Sequence, residues 1–188
     1  MWKETWKINI VSTGKLLELY EKEYEIEGKL KIFENVRRPP GVRLIIEKEN
    51  KILLTKEYRS ETKWFDVRLP WGKVFDRISD MKAYEGEMSD AARDAAVIEA
   101  REECGIEIKK DNLELFRVSH CGATIEWDLY YFLVRDFVQT GKQDLGDGEY
   151  ITYEWYDREQ ILQCVRDWLI SEDRTNGILW QYFLKNYD

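Results

Sequence analysis

Glu99, Glu102 and Glu103 fall inside one stretch, Ala95-Ala96-Val97-Ile98-Glu99-Ala100-Arg101-Glu102-Glu103-Cys104-Gly105-Ile106. Ala, Glu, Arg and Ile support a helix, and Gly105 suits the left-handed position just past a helix end. Residues three and four apart are surface neighbours on a helix, so the three carboxylates share one side. Ala96, Val97, Ala100 and Cys104 share another, small enough to let the helix approach a sheet. Three crowded carboxylates repel one another. A hard divalent cation with oxygen ligands, Mg²⁺ or Mn²⁺, neutralises such a group well. A glutamate-rich helix face is also what a solvated surface looks like.

The rest of the chain limits the alternatives. Its 188 residues suit one domain with a small accessory sheet, and its 35 % charged content beside 44 % hydrophobic residues argues against disorder. A net charge of −8 disfavours nucleic-acid binding through a basic surface, yet a bridging metal reconciles an acidic protein with a phosphate substrate. Three separated cysteines, Cys104, Cys121 and Cys164, without a C-x-x-C pair, argue against a disulfide framework or a zinc site. His120 is the sole histidine, so a histidine-based triad would have to use it. The longest apolar run, Leu129 to Val134, is far too short to span a bilayer, and no signal peptide is visible. A cytoplasmic, reducing setting is the expectation.

The carboxylate helix needs a frame. Residues 1–38 read as an N-terminal antiparallel sheet of about three strands, with a hairpin at Glu27-Gly28. Its exposed edges suit pairing with a second subunit, so a homodimer is expected. Arg37-Arg38-Pro39-Pro40-Gly41 punctuates the entry into a main domain at 39–188. Strands are predicted over Val42–Glu47, Ile52–Arg59, Trp64–Leu69, Leu113–Ser119, Trp127–Asp136 and Tyr150–Tyr156. Residues 73–88 read as a loop, with Ser89 or Asp90 capping the helix after it. Further helices are predicted from Asp157 to about Ile170 and from Gly177 to Tyr187. The fold class is α/β: an α/β/α sandwich around a mixed sheet, plus the small N-terminal sheet.

With Gly72 ahead of it, the acidic stretch resembles the Nudix hydrolase family. That family's box runs Gly, five residues, Glu, seven residues, then Arg-Glu-aliphatic-x-Glu-Glu-x-Gly-aliphatic. Ile98-Glu99-Ala100-Arg101-Glu102-Glu103-Cys104-Gly105-Ile106 matches its second half at every acid and at both closing residues, with Ile98 where the family has Arg. The first half is stretched, and either Glu87 or Asp90 fills its first acid. Glu57-Tyr58-Arg59 and Leu69-Pro70-Trp71-Gly72 are similar to the Gln-Tyr-Arg and Leu-Pro-Ala-Gly of the ADP-ribose pyrophosphatase branch. The N-terminal sheet is similar to that branch's dimerising element.

The resemblance implies a Mg²⁺-dependent pyrophosphohydrolase of ADP-ribose or a related nucleoside diphosphate sugar. It implies Glu99 and Glu103 as metal ligands, Glu102 beside them as ligand or catalytic carboxylate, and the backbone at Gly72 completing the set. Glu149, in Gly148-Glu149-Tyr150-Ile151, matches the acidic loop that supplies a general base, although Asp147-Gly148-Glu149 also reads as a solvated turn. Arg59 is a candidate phosphate clamp or the partner of Glu57 or Glu61, and Arg37 and Arg38 are candidates to reach substrate or to solubilise a linker. Other diphosphates, namely a dinucleotide, a coenzyme or a capped RNA end, fit the same chemistry. So does a nucleotide sensor that has lost it, given Ile98.

Overall fold

The computed structural model describes residues 2–60, 63–146 and 148–186. Three strands open the chain: β1 (Trp2–Thr13), β2 (Glu18–Ile26) and β3 (Lys29–Arg37). The β2–β3 turn is the expected hairpin, with Glu27 and Gly28 both at positive φ (53° and 74°), which matches the right-handed twist of the two strands. The main sheet uses β4 (Gly41–Lys48), β5 (Lys51–Arg59), β6 (Trp64–Arg68) and β7 (Trp71–Lys73). Two helices follow, α1 (Ile78–Ala83) and α2 (Met88–Cys104). Next come β8 (Ile106–Glu107), β9 (Glu114–Ser119), β10 (Ile125–Glu126), β11 (Leu129–Val134), β12 (Val138–Gln139) and β13 (Ile151–Tyr156). The described chain closes with α3 (Arg158–Arg166) and α4 (Asp173–Asn186).

The central sheet runs β13-β5-β4-β11-β9, with β6 on β5 and β7 on β4. Only the β4–β11 pair in it is parallel, so the sheet is mixed as expected. Alternation along its two central strands builds two cores. Val42, Leu44, Ile46, Tyr130, Phe132 and Val134 face α2. Ile45, Leu129, Tyr131 and Leu133 face α3 and α4. Burial on both faces explains why β11 is apolar at every position rather than at every second one. Helices therefore cover both faces of the sheet, the sandwich the sequence predicts.

Several local expectations need correction. Residues 73–88 are not a plain loop, because α1 forms within them; six residues carry too weak a periodic pattern to announce a helix. Neither Ser89 nor Asp90 caps α2. The Asp90 N–H donates to the Glu87 carbonyl at 2.9 Å, so both residues are already inside the helical turn, and Glu87 occupies the cap position without a side-chain cap bond. Helix α3 does start at a capping box on Asp157 and Gln160, but it ends at Arg166 rather than near Ile170. Helix α4 starts four residues before Gly177. The N-terminal sheet is not built from residues 1–38 alone, since β10 joins it parallel to β3.

One buried ion pair fastens α4 to the sheet. Arg43, on β4, is 2 % exposed and donates two hydrogen bonds to Glu172, the residue before α4, at 2.7 and 2.9 Å. Burial alone would raise the Glu172 carboxyl, but the Arg43 hydrogen bonds and charge, with Thr175, outweigh it and hold the group below its usual range. A depressed folded-state value contributes stability that is complete above the unfolded carboxylate value near 4.5 and is lost as pH falls through the folded one. Glu172→Gln is therefore expected to cost about 3 kcal/mol at pH 7, because it leaves Arg43 buried without its counter-charge. Urea unfolding at pH 7 and pH 3 checks this: the gap between wild type and variant should narrow at the lower pH.

Candidate active site

Helix α2 packs on β4 and β7 through its smallest residues. Ala92, Ala96, Ala100 and Cys104 are fully buried, and no longer side chain would permit the same approach. The helix ends at Gly105, in the left-handed conformation at φ 59°, where a Cβ would lie 2.6 Å from the Lys142 backbone nitrogen. The loop that follows β12 is stitched to this end: Thr140 and Gly141 amides donate to the Gly105 carbonyl, and the Asp144 amide donates to that of Glu102. The same loop goes on to carry Glu149.

Close packing brings the acidic side of α2 against the backbone of β7. The Trp71 N–H donates to Glu103 Oε2 at 3.0 Å. The Lys73 N–H donates to Glu99. Between them lies Gly72, where a Cβ would fall 1.9 Å from Glu99 Oε1. The glycine is thus a steric requirement of the carboxylate's position. Its strand neighbours fix it in turn, since β7 pairs with β4 at Val42↔Gly72 and Arg43↔Trp71. Trp71 is held further by an indole N–H to Glu57 and by three guanidinium groups, Arg43, Arg59 and Arg68, at 5.2, 5.0 and 5.6 Å from its ring.

Glu99, Glu102, Glu103, Gly72 and Glu149 all line one cleft of about 580 Å³. The structure brings together every residue that the sequence assigns to metal binding or acid–base work. Burial comes first in raising the Glu99 carboxyl to about 7, and the charges of Glu102 and Glu149 add to it. Burial also drives Glu103 well above its usual value, with Glu99, Glu57 and Glu149 adding and the Trp71 amide opposing. Glu102 is more open and meets Arg101 at 3.1 Å. Glu149 is exposed and folds back to accept from the Gly146 N–H at 3.0 Å.

The arginines stand elsewhere. Arg59 pairs with Glu57 at 2.7 Å and lies over Trp71, outside the cleft lining; Glu61, its other possible partner, falls outside the described residues. Arg37 pairs with buried Glu18 and stacks on Tyr20, and Arg38 stacks on Trp127. Both line a separate cleft of about 470 Å³, with His120 and Asp128. Neither Glu87 nor Asp90 lines the carboxylate cleft, whereas Asp76 and Asp94 do. The inserted turns of 73–88 displace the register that the box spacing suggested. Ile98, the departure from the family box, also lines the cleft, as do Lys73, Phe75 and Tyr84, which no motif announced.

Among the described residues, no group of three or more His, Cys, Asp or Glu side chains is arranged to hold a metal ion by itself. The donor set nevertheless fits a hard cation. It is all oxygen, it carries excess negative charge at partly desolvated positions, and it borders a glycine cradle that leaves the backbone accessible. Mg²⁺ in particular keeps several waters and takes one or two carboxylates plus substrate phosphate oxygens, so it needs no closed cage.

No curated protein matches this chain. Among solved structures, a crystal structure of an ADP compounds hydrolase superposes with a TM-score of 0.72. The match covers 98 % of this chain and 96 % of that one at 16 % identity, a likeness of fold. Residues 37–175, which include the sheet, α2 and the loop of Glu149, match the model of the NUDIX domain, and the chain belongs to that family.

Proposed function

We propose that the protein is a Mg²⁺-dependent pyrophosphohydrolase. It cleaves the diphosphate of ADP-ribose or a related nucleoside diphosphate sugar to a nucleoside monophosphate and a sugar phosphate. The observation that carries this reading is the pair of helix carboxylates, Glu99 and Glu103, pinned by the Lys73 and Trp71 amides of β7 to one wall of an acidic cleft. Glu99 and Glu103 would hold the ion, with Glu102 beside them and the Gly72 backbone at the same wall. Mn²⁺ suits the same oxygen donors. When bound, the ion neutralises the diphosphate and makes a water acidic enough to attack.

The residues of the chain then divide the remaining work. Glu149 takes the proton of the attacking water; its exposure suits a group that must reach solvent. The Trp71 and Lys73 amides keep Glu103 and Glu99 from collapsing onto each other. Lys73 is the one cation among the described residues lining the cleft, and it opposes the charge on Glu99. Arg37 and Arg38 would meet substrate only from the neighbouring cleft, and Arg59 supports Trp71. The family Arg replaced by Ile98 motivated a non-catalytic reading, but backbone amides already hold Glu99 and Glu103 in place.

The N-terminal sheet supports a homodimer. Its exposed side chains include Trp2, Trp6, Ile8, Ile10, Leu30 and Ile32, an apolar area that a second copy would cover. Three free cysteines suit a reducing cytoplasm, and no helix among the described residues is long and apolar enough to cross a membrane.

Four outcomes are expected. ADP-ribose incubated with Mg²⁺ should release AMP, read by chromatography, and chelation should stop it. Glu103→Gln and Glu149→Gln should each lower kcat by roughly 100-fold or more. ADP-ribose bound but uncleaved would instead support a sensor, and cleavage confined to a dinucleotide, a coenzyme or capped RNA would reassign the substrate. Gly72→Ala should cut kcat about 10- to 100-fold by displacing Glu99, while the thermal midpoint moves little because the clash is with the end of one side chain. Light scattering should give twice the 22.6 kDa chain mass, and Trp6→Glu with Ile32→Glu should halve it.

A further inference from the structure

The carboxylate cleft has two unlike halves. Along α2, the residues lining it change character at Ile98. Glu99, Glu102 and Glu103 form the acidic half towards the C-terminus, while Ala91, Ala95 and Ile98 make the half towards the N-terminus mostly apolar, its one α2 acid, Asp94, being paired with Lys110 at 2.6 Å. Opposite the apolar half stand Phe75 and Tyr84, which flank α1. Their rings meet at 5.4 Å and 54°, so each braces the other. Gly86 makes room for the arrangement: a Cβ there would lie 2.5 Å from the Tyr84 hydroxyl oxygen and 2.7 Å from Cζ. Tyr84 remains 36 % exposed and Ile98 46 % exposed, although both border a built cavity. An aliphatic side chain and an aromatic face left open to water beside a charged site are unexplained by packing.

We infer that this apolar half is a subsite for a planar aromatic base, stacked on Tyr84 with Phe75 behind it and Ile98 across from it. The inference rests on the reading of the acidic half as the phosphate site. Ala95 and Ala91 lie one and two helical turns before Glu99, about 6 and 12 Å along the axis. That is the scale on which one ribose separates a phosphate from its base. A second phosphate or a free sugar would gain little from aliphatic and aromatic walls, whereas a base has a π-face to offer and apolar area to bury. In this reading Ile98 is a specificity residue. An arginine there would place a cation in the base's wall. The segment 73–88 then supplies one side of the substrate site, and its length follows from having to carry both rings past the start of α2.

The test compares two ligands that share the phosphate and ribose. Calorimetry in Mg²⁺ measures AMP against ribose 5-phosphate, with ADP-ribose hydrolysis assayed separately. Wild type should bind AMP at least about tenfold more tightly, the discrimination expected of one stacked base. Tyr84→Phe should keep that preference. Tyr84→Ala should abolish it without weakening ribose 5-phosphate. Tyr84→Leu, which preserves apolar bulk without a π-face, should behave like the alanine variant and guards against a folding defect. Equal wild-type affinities, absent AMP binding, a preference that survives both Tyr84→Ala and Tyr84→Leu, or its loss in Tyr84→Phe would each overturn the subsite. If the AMP preference behaves as expected but ADP-ribose is not hydrolysed, the subsite stands and the proposed reaction falls.

Discussion

Two carboxylates held against two backbone amides set the terms for the rest of this molecule. Glu103 is 6 % exposed, and a charge so placed is costly unless it is hydrogen-bonded or neutralised. The Trp71 and Lys73 N–H groups provide part of the compensation. To do so, β7 must lie within hydrogen-bonding reach of α2, which requires small residues on the helix face that meets the sheet. Ala92, Ala96 and Ala100 satisfy that requirement, and Gly72 removes the last obstruction. Stability and site geometry are therefore the same packing problem along this helix face: enlarging any of these alanines would move the acids as well as the helix.

The compensation is incomplete, and that incompleteness is the functional content of the site. Two hydrogen bonds do not offset the mutual repulsion of Glu99, Glu102, Glu103 and Glu149, so burial and neighbouring charge both push Glu99 towards protonation near neutral pH. The positive charges nearby are spent on Trp71. Arg43, Arg59 and Arg68 surround its indole and pair with Glu172, Glu57 and Asp66, which leaves the cleft itself acidic. Crowding also depresses Arg68 to about 10, first through burial and then through the charges of Arg59 and Arg43. The cluster holds Trp71, and through its amide Glu103, without neutralising the carboxylates.

Much of this was readable from the residues. Acid spacing and Gly105 located the helix and its end, because both express local rules of helix geometry. The unbroken apolar run of β11 announced a strand buried on both faces. What escaped was whatever depends on long-range placement. Arg37 and Arg38 are as suitable for phosphate as any arginine, but their partners Glu18 and Trp127 are set by tertiary contacts that spacing does not encode, whereas the Glu57 pairing of Arg59 is one that the sequence offers. Glu87 and Asp90 matched a motif position by counting, and the turns of 73–88 uncouple that count from space. Helix α1 is too short to show a period, and β10 joins the N-terminal sheet from nearly ninety residues beyond β3.

Ile98 shows how a motif departure can be absorbed. In the family pattern an arginine stands at this position and orients an acidic neighbour. Here the neighbouring acids are oriented by main-chain donors, which cannot be mutated away and which carry no charge of their own. The position is thereby released from an electrostatic duty, and an aliphatic side chain can occupy it without loss of carboxylate geometry. The cost is a cleft with one less positive charge. The gain is an uncharged wall contiguous with the acids. A single position thus links the charge balance of one half of the cleft to the apolar character of the other, and the two properties should vary together there.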